Sequence, residues 1–217
     1  MEIDLLRKYP KPKRNLEKRL LDKSPDIIRV ARQFGKEFFD GDRKYGYGGF
    51  NYNPKFWSNV VTDFVNFYKL RPGSKILDVG CAKGFMVYDF IRNHPSIEVF
   101  GIDVSDYAIE NCHPEVKNYL KVGNAKKLDF EDNYFDLVIS INTIHNLELE
   151  ECISSIKEIS RVSKSNAFIT VDAYNSVSEK ERMFKWNLTA KTIMSTSEWK
   201  KLFKKIGYQG DYYWFIP

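Results

Sequence analysis

From residue 75 onward, short apolar runs alternate with amphipathic stretches, and this alternation limits the fold more than any other feature of the chain. Residues 75–79, 97–102, 119–122, 135–141 and 167–171 read as strands, and 208–217 leaves room for one more. Between them, 85–94 and 149–162 carry helical spacing, Ser105 caps a helix running to Cys112, and Ser195-x-x-Glu198 is a capping box opening a further helix. The run 135–141 is apolar throughout, as expected of a strand buried on both faces of a parallel sheet. Strand–helix alternation requires right-handed crossovers. The predicted class is therefore α/β, with a doubly wound, mostly parallel sheet of six or seven strands.

The segment before this block is different. Residues 26–39 have helical spacing in Ile27, Val30, Ala31, Phe34 and Phe38, and Asn53-Pro54 caps a second helix with Phe56, Trp57, Val60, Val61, Phe64 and Tyr68 on one side. Between the two lies a Gly/Tyr-rich stretch, 42–52, that suits neither helix nor strand. Three regions are expected: a basic arm over 1–23, a helical cap over 24–69 with this loop as a lid, and an α/β domain over 70–217. Tyr45 and Tyr47 are the lid residues expected to face a ligand.

Charge narrows the partners. The chain has a formal charge of +5, of which residues 1–23 supply +4 from eight Lys/Arg against four Asp/Glu. The remainder is near +1, which argues against a nucleic-acid binder, since that usually shows a broader basic field. The basic stretch reads as a solvated arm. Cys81, Cys112 and Cys152 form no C-x-x-C pair, which fits a reducing, cytoplasmic setting without a structural zinc. No run is long and apolar enough to span a membrane.

In an open α/β sheet the ligand sits beyond the carboxyl ends of the strands, beside the first. There the sequence reads Ile76-Leu77-Asp78-Val79-Gly80-Cys81-Ala82-Lys83-Gly84. Lys83-Gly84-Phe85 breaks a P-loop, and Phe85 stands where a dinucleotide loop needs its third glycine. What remains resembles the first motif of class I S-adenosylmethionine-dependent methyltransferases, with Ala82 in place of the middle glycine. The resemblance continues in Gly101-Ile102-Asp103, in Val122-Gly123-Asn124-Ala125, and in Phe135–Ile141 followed by Asn142-Thr143-Ile144-His145, so it covers about residues 70–172.

The resemblance implies a Rossmann-like fold and S-adenosyl-L-methionine as cofactor. It implies that Asp103, with Val104 beside it, holds the donor's ribose, and that Asn124 and Ala125 edge the adenine, Asn124 replacing the family's usual Asp. Gly80, Cys81, Ala82, Lys83 and Gly84 would wrap the methionine end, with Asp78 fixing the turn and meeting the donor amine. Ile141 and Asn142 would line the same pocket. A lysine at a helix start is disfavoured by the dipole, so Lys83 is expected to have an anionic partner, the donor carboxylate being one choice and solvent the other. His145 reads as a general base or as a loop anchor, and Asp172 as an acceptor-orienting group or a turn cap. Asn142 and Asp172 are too few hard ligands for a metal, and none is expected. Trp186-Asn187 and residues 211–214 are candidates for an acceptor wall.

The leading expectation is transfer to oxygen or nitrogen of a small molecule, hydroxylated, sugar-like or phosphorylated. The residues leave two others open: an RNA or protein methyltransferase docking through the basic arm, and a non-catalytic donor-binding subunit.

Overall fold

The computed structural model describes residues 1–11 and 15–217. Seven strands, β1 (Lys75–Val79), β2 (Glu98–Asp103), β3 (Leu120–Val122), β4 (Phe135–Ile141), β5 (Ser163–Tyr174), β6 (Met194–Ser195) and β7 (Asp211–Phe215), form one sheet. Its order is β3-β2-β1-β4-β5-β6, with β7 also on β5. Every strand pair is parallel. The strand order reverses between β1 and β4, so their carboxyl ends mark the switch point at which such sheets place a ligand.

The helices are α1 (Leu16–Asp22), α2 (Pro25–Ala31), α3 (Lys36–Phe39), α4 (Pro54–Tyr68), α5 (Phe85–Asn93), α6 (Asp106–Glu110), α7 (Leu149–Val162), α8 (Val177–Trp186) and α9 (Thr196–Ile206). All three expected caps are made. Asn53 accepts from the Lys55 N–H at the start of α4, Ser105 accepts from the Ala108 N–H at α6, which ends at Glu110, and Ser195 and Glu198 complete their reciprocal box at α9. The helix expected over 26–39 is instead two, because Phe34 takes a left-handed conformation (φ 50°) between α2 and α3.

Strand alternation divides the core. Leu77, Val79, Val138, Ile169 and Val171 face α7 and α9, whose Ile156, Ile159, Trp199 and Phe203 cover that side. Ile76, Leu137, Ile139 and Phe168 face α4 and α5, through Val60, Phe64, Val87 and Phe90.

The N-terminal stretch departs from the solvated arm expected of it. Glu2 bridges to Tyr212 in parallel, the Ile3 N–H donates to the Tyr212 carbonyl (3.0 Å) and the Tyr212 N–H to the Met1 carbonyl (2.9 Å), so this segment extends the sheet beyond β7. Leu5 is buried, and Tyr9 packs on Phe56 and Trp57. Lys8 and Arg7 reach Asp63 on α4 (2.7 and 3.5 Å), which neutralises part of the charge. Lys13 and Arg14, two more of its charges, lie outside the described residues. Apolar side chains at 3, 5 and 9 explain the docking, because burying them outweighs solvation of the cations between them. Among the described residues, no helix is long and apolar enough to cross a membrane.

Candidate functional site

The turn after β1 is built on three left-handed residues, Gly80 (φ 88°), Ala82 (φ 50°) and Gly84 (φ 75°). At Gly80 a Cβ would lie 2.1 Å from Thr143 Oγ1, so the β1 and β4 loops approach too closely for any side chain there. Ala82 holds a conformation that costs an L-residue roughly 1–2 kcal/mol. Its N–H donates to Asp103 Oδ2 (2.8 Å), which offsets part of that cost.

Asp103 accepts at its other oxygen from the Ser105 N–H (2.9 Å), and these bonds fix the carboxylate across the loop mouth. Burial raises its pKa, working against the backbone donors. Asp78, one strand over, is 4 % exposed. Burial and then the Asp103 charge push its carboxyl up to about 8. A buried carboxylate beside a second, partly buried one, with no cation paired to either among the described residues, suits a cationic ligand. Val104 beside them is exposed. Cys81 is buried against Gly101, where a Cβ would come within 2.8 Å of its sulfur; this requirement for glycine in β2 is one the sequence reading does not draw.

Lys83 does have an anionic partner, and it belongs to the protein. Its Nζ donates to Asp40 Oδ1 and Oδ2 (2.7 and 2.5 Å) and to the Phe50 carbonyl (3.2 Å), so the alternative of a donor carboxylate gives way to a link with the Gly/Tyr loop. Tyr107 also donates to Asp40 (2.7 Å). Burial opposes ionisation of Asp40, but the Lys83 and Tyr107 hydrogen bonds prevail and hold it below its ordinary value. Neither Asp40 nor Tyr107 is visible as a site residue in sequence, because Asp40 stands 43 positions from Lys83 and carries no motif.

The loop closes over α5 as a run of rings. Tyr47 stacks on Phe50 (4.1 Å), Phe50 meets Phe85 (4.8 Å), and Tyr52 meets Tyr88 edge-on (4.9 Å). Tyr52 and Ser58 both donate to Asp89 (2.8 Å each), which fixes the far end of the loop. Burial of its hydroxyl end and then the Asp103 charge raise the Tyr47 pKa, while the residue as a whole is 46 % exposed, so it stands at the surface within electrostatic reach of the β2 carboxylate. Tyr45 stands outside the stack, its ring under the Lys44 ammonium (5.0 Å).

In the turn after β3, Asn124 is exposed and closes its own turn by accepting from the Lys126 N–H (3.0 Å), while Ala125 is partly buried against the core. At the end of β4, Ile141 packs partly into the α4/α5 side. Asn142 is left-handed (φ 53°) and locked to Thr170: its N–H donates to Thr170 Oγ1 and its Oδ1 accepts the Thr170 hydroxyl, both at 3.0 Å.

His145 is buried, and its Nδ1 accepts from the Asp172 N–H (3.1 Å). Burial lowers its pKa against the opposing pull of Asp172, whose Oδ1 lies 3.6 Å from Nε2. A neutral imidazole has one ring lone pair, and here the Asp172 N–H uses it. Of the two roles open in sequence, the loop anchor is the one this geometry provides for. Asp172 is buried too, accepting from Asn187 at Oδ2 and from Trp199 Nε1 (3.0 Å) at its carbonyl. The second aromatic group divides. Trp186 lies under Arg19, but Tyr212 and Trp214 pack on Phe203 in the α9 core and so leave the acceptor wall.

Comparison with known proteins gives a common answer. A family described as a methyltransferase domain matches residues 70–210. Phosphoethanolamine N-methyltransferase 3 of Arabidopsis thaliana is 31 % identical over 135 residues, covering 58 % of this chain and 24 % of that protein. The tRNA (carboxymethyluridine(34)-5-O)-methyltransferase of the same plant is 31 % identical over 133 residues, covering 60 % and 31 %. This chain therefore aligns with about a quarter to a third of the length of these relatives. Among solved structures, a Haemonchus contortus phosphoethanolamine N-methyltransferase 2 in complex with phosphomonomethylethanolamine and S-adenosylhomocysteine superposes with a TM-score of 0.59 at 19 % identity, over 82 % of this chain and 44 % of that one.

Proposed function

The chain belongs to the methyltransferase-domain family, and from that premise we propose that it transfers a methyl group from S-adenosylmethionine to oxygen or nitrogen of a small acceptor. The observation that carries this reading is the pair Asp78, buried, and Asp103, partly buried, at the ends of β1 and β2 beside a turn whose backbone admits close approach. When bound, S-adenosylmethionine supplies a methyl on a sulfonium, a leaving group that needs no activation. Asp78 would balance its cationic amine. Asp103, pinned by Ala82 and Ser105, keeps lone pairs for two ribose hydroxyls. Val104 and the Asn124–Ala125 turn would flank the adenine.

The remaining task is alignment and exclusion of water, worth up to roughly 7–11 kcal/mol of barrier in a well-oriented displacement. The Tyr47–Phe50–Phe85 stack, tied down at Asp40 and Asp89, serves as the cover. His145 acts through the Asp172 backbone as a positioning residue for the rim beyond β4 and β5.

Calorimetry with adenosylhomocysteine tests the donor site. Asp103→Ala is expected to abolish binding while leaving the melting transition in place, and unchanged affinity would remove the assignment. Labelled donor incubated with fractionated metabolites should transfer label to a small molecule. A second reading, RNA methylation, is favoured by the tRNA-modifying relative. It requires label in RNA and a binding constant that falls steeply with salt.

A further inference from the structure

Where α1, α2, the Gly/Tyr loop and α8 meet, four cations converge. Arg19 is 9 % exposed, its guanidinium 5.0 Å over the Trp186 ring. Its Nη1 donates to the Arg43 and Lys44 carbonyls (3.4 and 3.1 Å). Lys23 Nζ donates to the Phe184 carbonyl (2.5 Å), Arg32 Nη2 to the Ala190 carbonyl (3.1 Å), and Arg43 to the Gly46 carbonyl. All four rest on neutral main-chain oxygens. Among the described residues none of the four is ion-paired, and the nearby carboxylates are engaged elsewhere: Asp26 with Arg29, Glu17 with Lys185, and Glu148 with Lys191. Asp22 acts on Arg19 only from a distance.

The cations feel one another. Burial and then Arg43 lower the Arg19 pKa, and burial, Arg32 and Arg19 lower that of Lys23. Arg19 is buried and Lys23 half-buried, with Arg32 and Arg43 exposed beside them, and like charges held together cost stability unless a counter-charge joins them. Carbonyl contacts fix the side chains while leaving their charge uncompensated, which is the arrangement needed by a preorganised oxyanion site.

A cleft of about 340 Å³ opens beside this seam, lined by Arg32, Glu148, Phe184, Ala190, Lys191 and Ile193. It is joined to the candidate site through His145, whose carbonyl accepts from the Lys191 and Thr192 N–H groups (3.0 Å each).

We propose that Arg19, Lys23, Arg32 and Arg43 form the subsite for an anionic group on the acceptor, a phosphate monoester being the oxyanion whose charge best matches four donors. The proposal rests on the methyl-transfer reading above. It makes the acceptor a small molecule with an oxyanion at one end and the methylated oxygen or nitrogen at the other.

The test uses the full chain saturated with adenosylhomocysteine and titrated with inorganic phosphate by calorimetry, with sodium chloride at matched ionic strength and acetate as comparisons. Phosphate is expected to bind with a heat that chloride lacks, and more tightly than acetate. Lys23→Met and Arg32→Gln should each weaken phosphate about tenfold or more, leave adenosylhomocysteine affinity within about twofold, and melt as the parent does. Lys23→Arg keeps the charge and should retain phosphate.

Phosphate indistinguishable from chloride, or bound equally by the two neutral variants, overturns the proposal. Loss of adenosylhomocysteine affinity in those variants does so too, because the cluster would then serve the donor. Displacement of phosphate by a short RNA that needs the same four residues would make the seam a polyanion surface instead. Failure of the donor to bind at all would count against the methyl-transfer reading, and the phosphate titration repeated without it still tests the cluster.

Discussion

Asp78 shows how a single residue sets a condition on the whole pocket. Its carboxyl titrates at about 8 in the ligand-free chain, against an ordinary 3.8. Between those values the folded chain keeps a proton that the unfolded chain has lost, so this group's contribution to stability is complete below about pH 4 and is lost as pH rises through 8. Denaturant melts of the ligand-free protein should show stability falling from pH 5 to 8, and Asp78→Asn should flatten that slope. The same variant should gain on the order of 2 kcal/mol near pH 8 and lose donor binding; a variant that binds adenosylhomocysteine as tightly as the parent contradicts the assignment. His145 makes a different prediction. If it positions the Asp172 backbone, His145→Ala should cost on the order of 10²-fold in kcat with donor affinity unchanged. His145→Asn, which can still accept from the Asp172 N–H, should restore most of the rate without removing a limb from the pH profile. An Asn variant as impaired as Ala would restore the role of base.

The Gly/Tyr loop behaves as an element although it has no regular structure. It is fastened at one end by Asp40 to Lys83 and Tyr107, and at the other by Tyr52 and Ser58 to Asp89, with the ring stack between. Lys83→Met would leave the Asp40 carboxylate, 24 % exposed, without its cation, a loss on the order of 2 kcal/mol for a partly buried charged hydrogen bond. Amide exchange should report it locally. The Tyr47 and Phe50 N–H groups, which donate to the Phe38 and Phe39 carbonyls, should exchange on the order of 10²-fold faster, while amides of β4 hold their protection. Equal exchange rates in variant and parent would mean that the rings alone hold the loop. The composition of this segment marks it as irregular, and the Asn53-Pro54 cap marks where it ends. Its fastening is not legible, because Asp40–Lys83 and Tyr52–Asp89 join residues with no periodic relation. Helix α8 is not legible in sequence for a related reason: only Met183 is buried along it, so its sequence carries no apolar face.

For the whole molecule, the sheet was legible and its edge was not. Strands β1 and β4 fall where their apolar runs place them, since burial on both faces leaves a continuous signal. Docking of residues 1–11 depends on Ile3, Leu5 and Tyr9, three apolar residues among cations, and the charge count hides them. Leu5→Ala should therefore cost about 2–5 kcal/mol of global stability, as a core leucine does, and a shift under about 0.5 kcal/mol in a denaturant melt would restore the loose arm. The parallel pairing of β7 with β5, and of Glu2 with Tyr212 beyond it, also has a consequence for biosynthesis. During translation the Phe168–Asp172 flank emerges well before the segment that will line it, and at roughly 5–20 residues per second it waits a few seconds with bare amides. Chaperone capture of nascent chains halted in that interval, and its absence once residue 215 has cleared the ribosome, is what such a late-closing border entails.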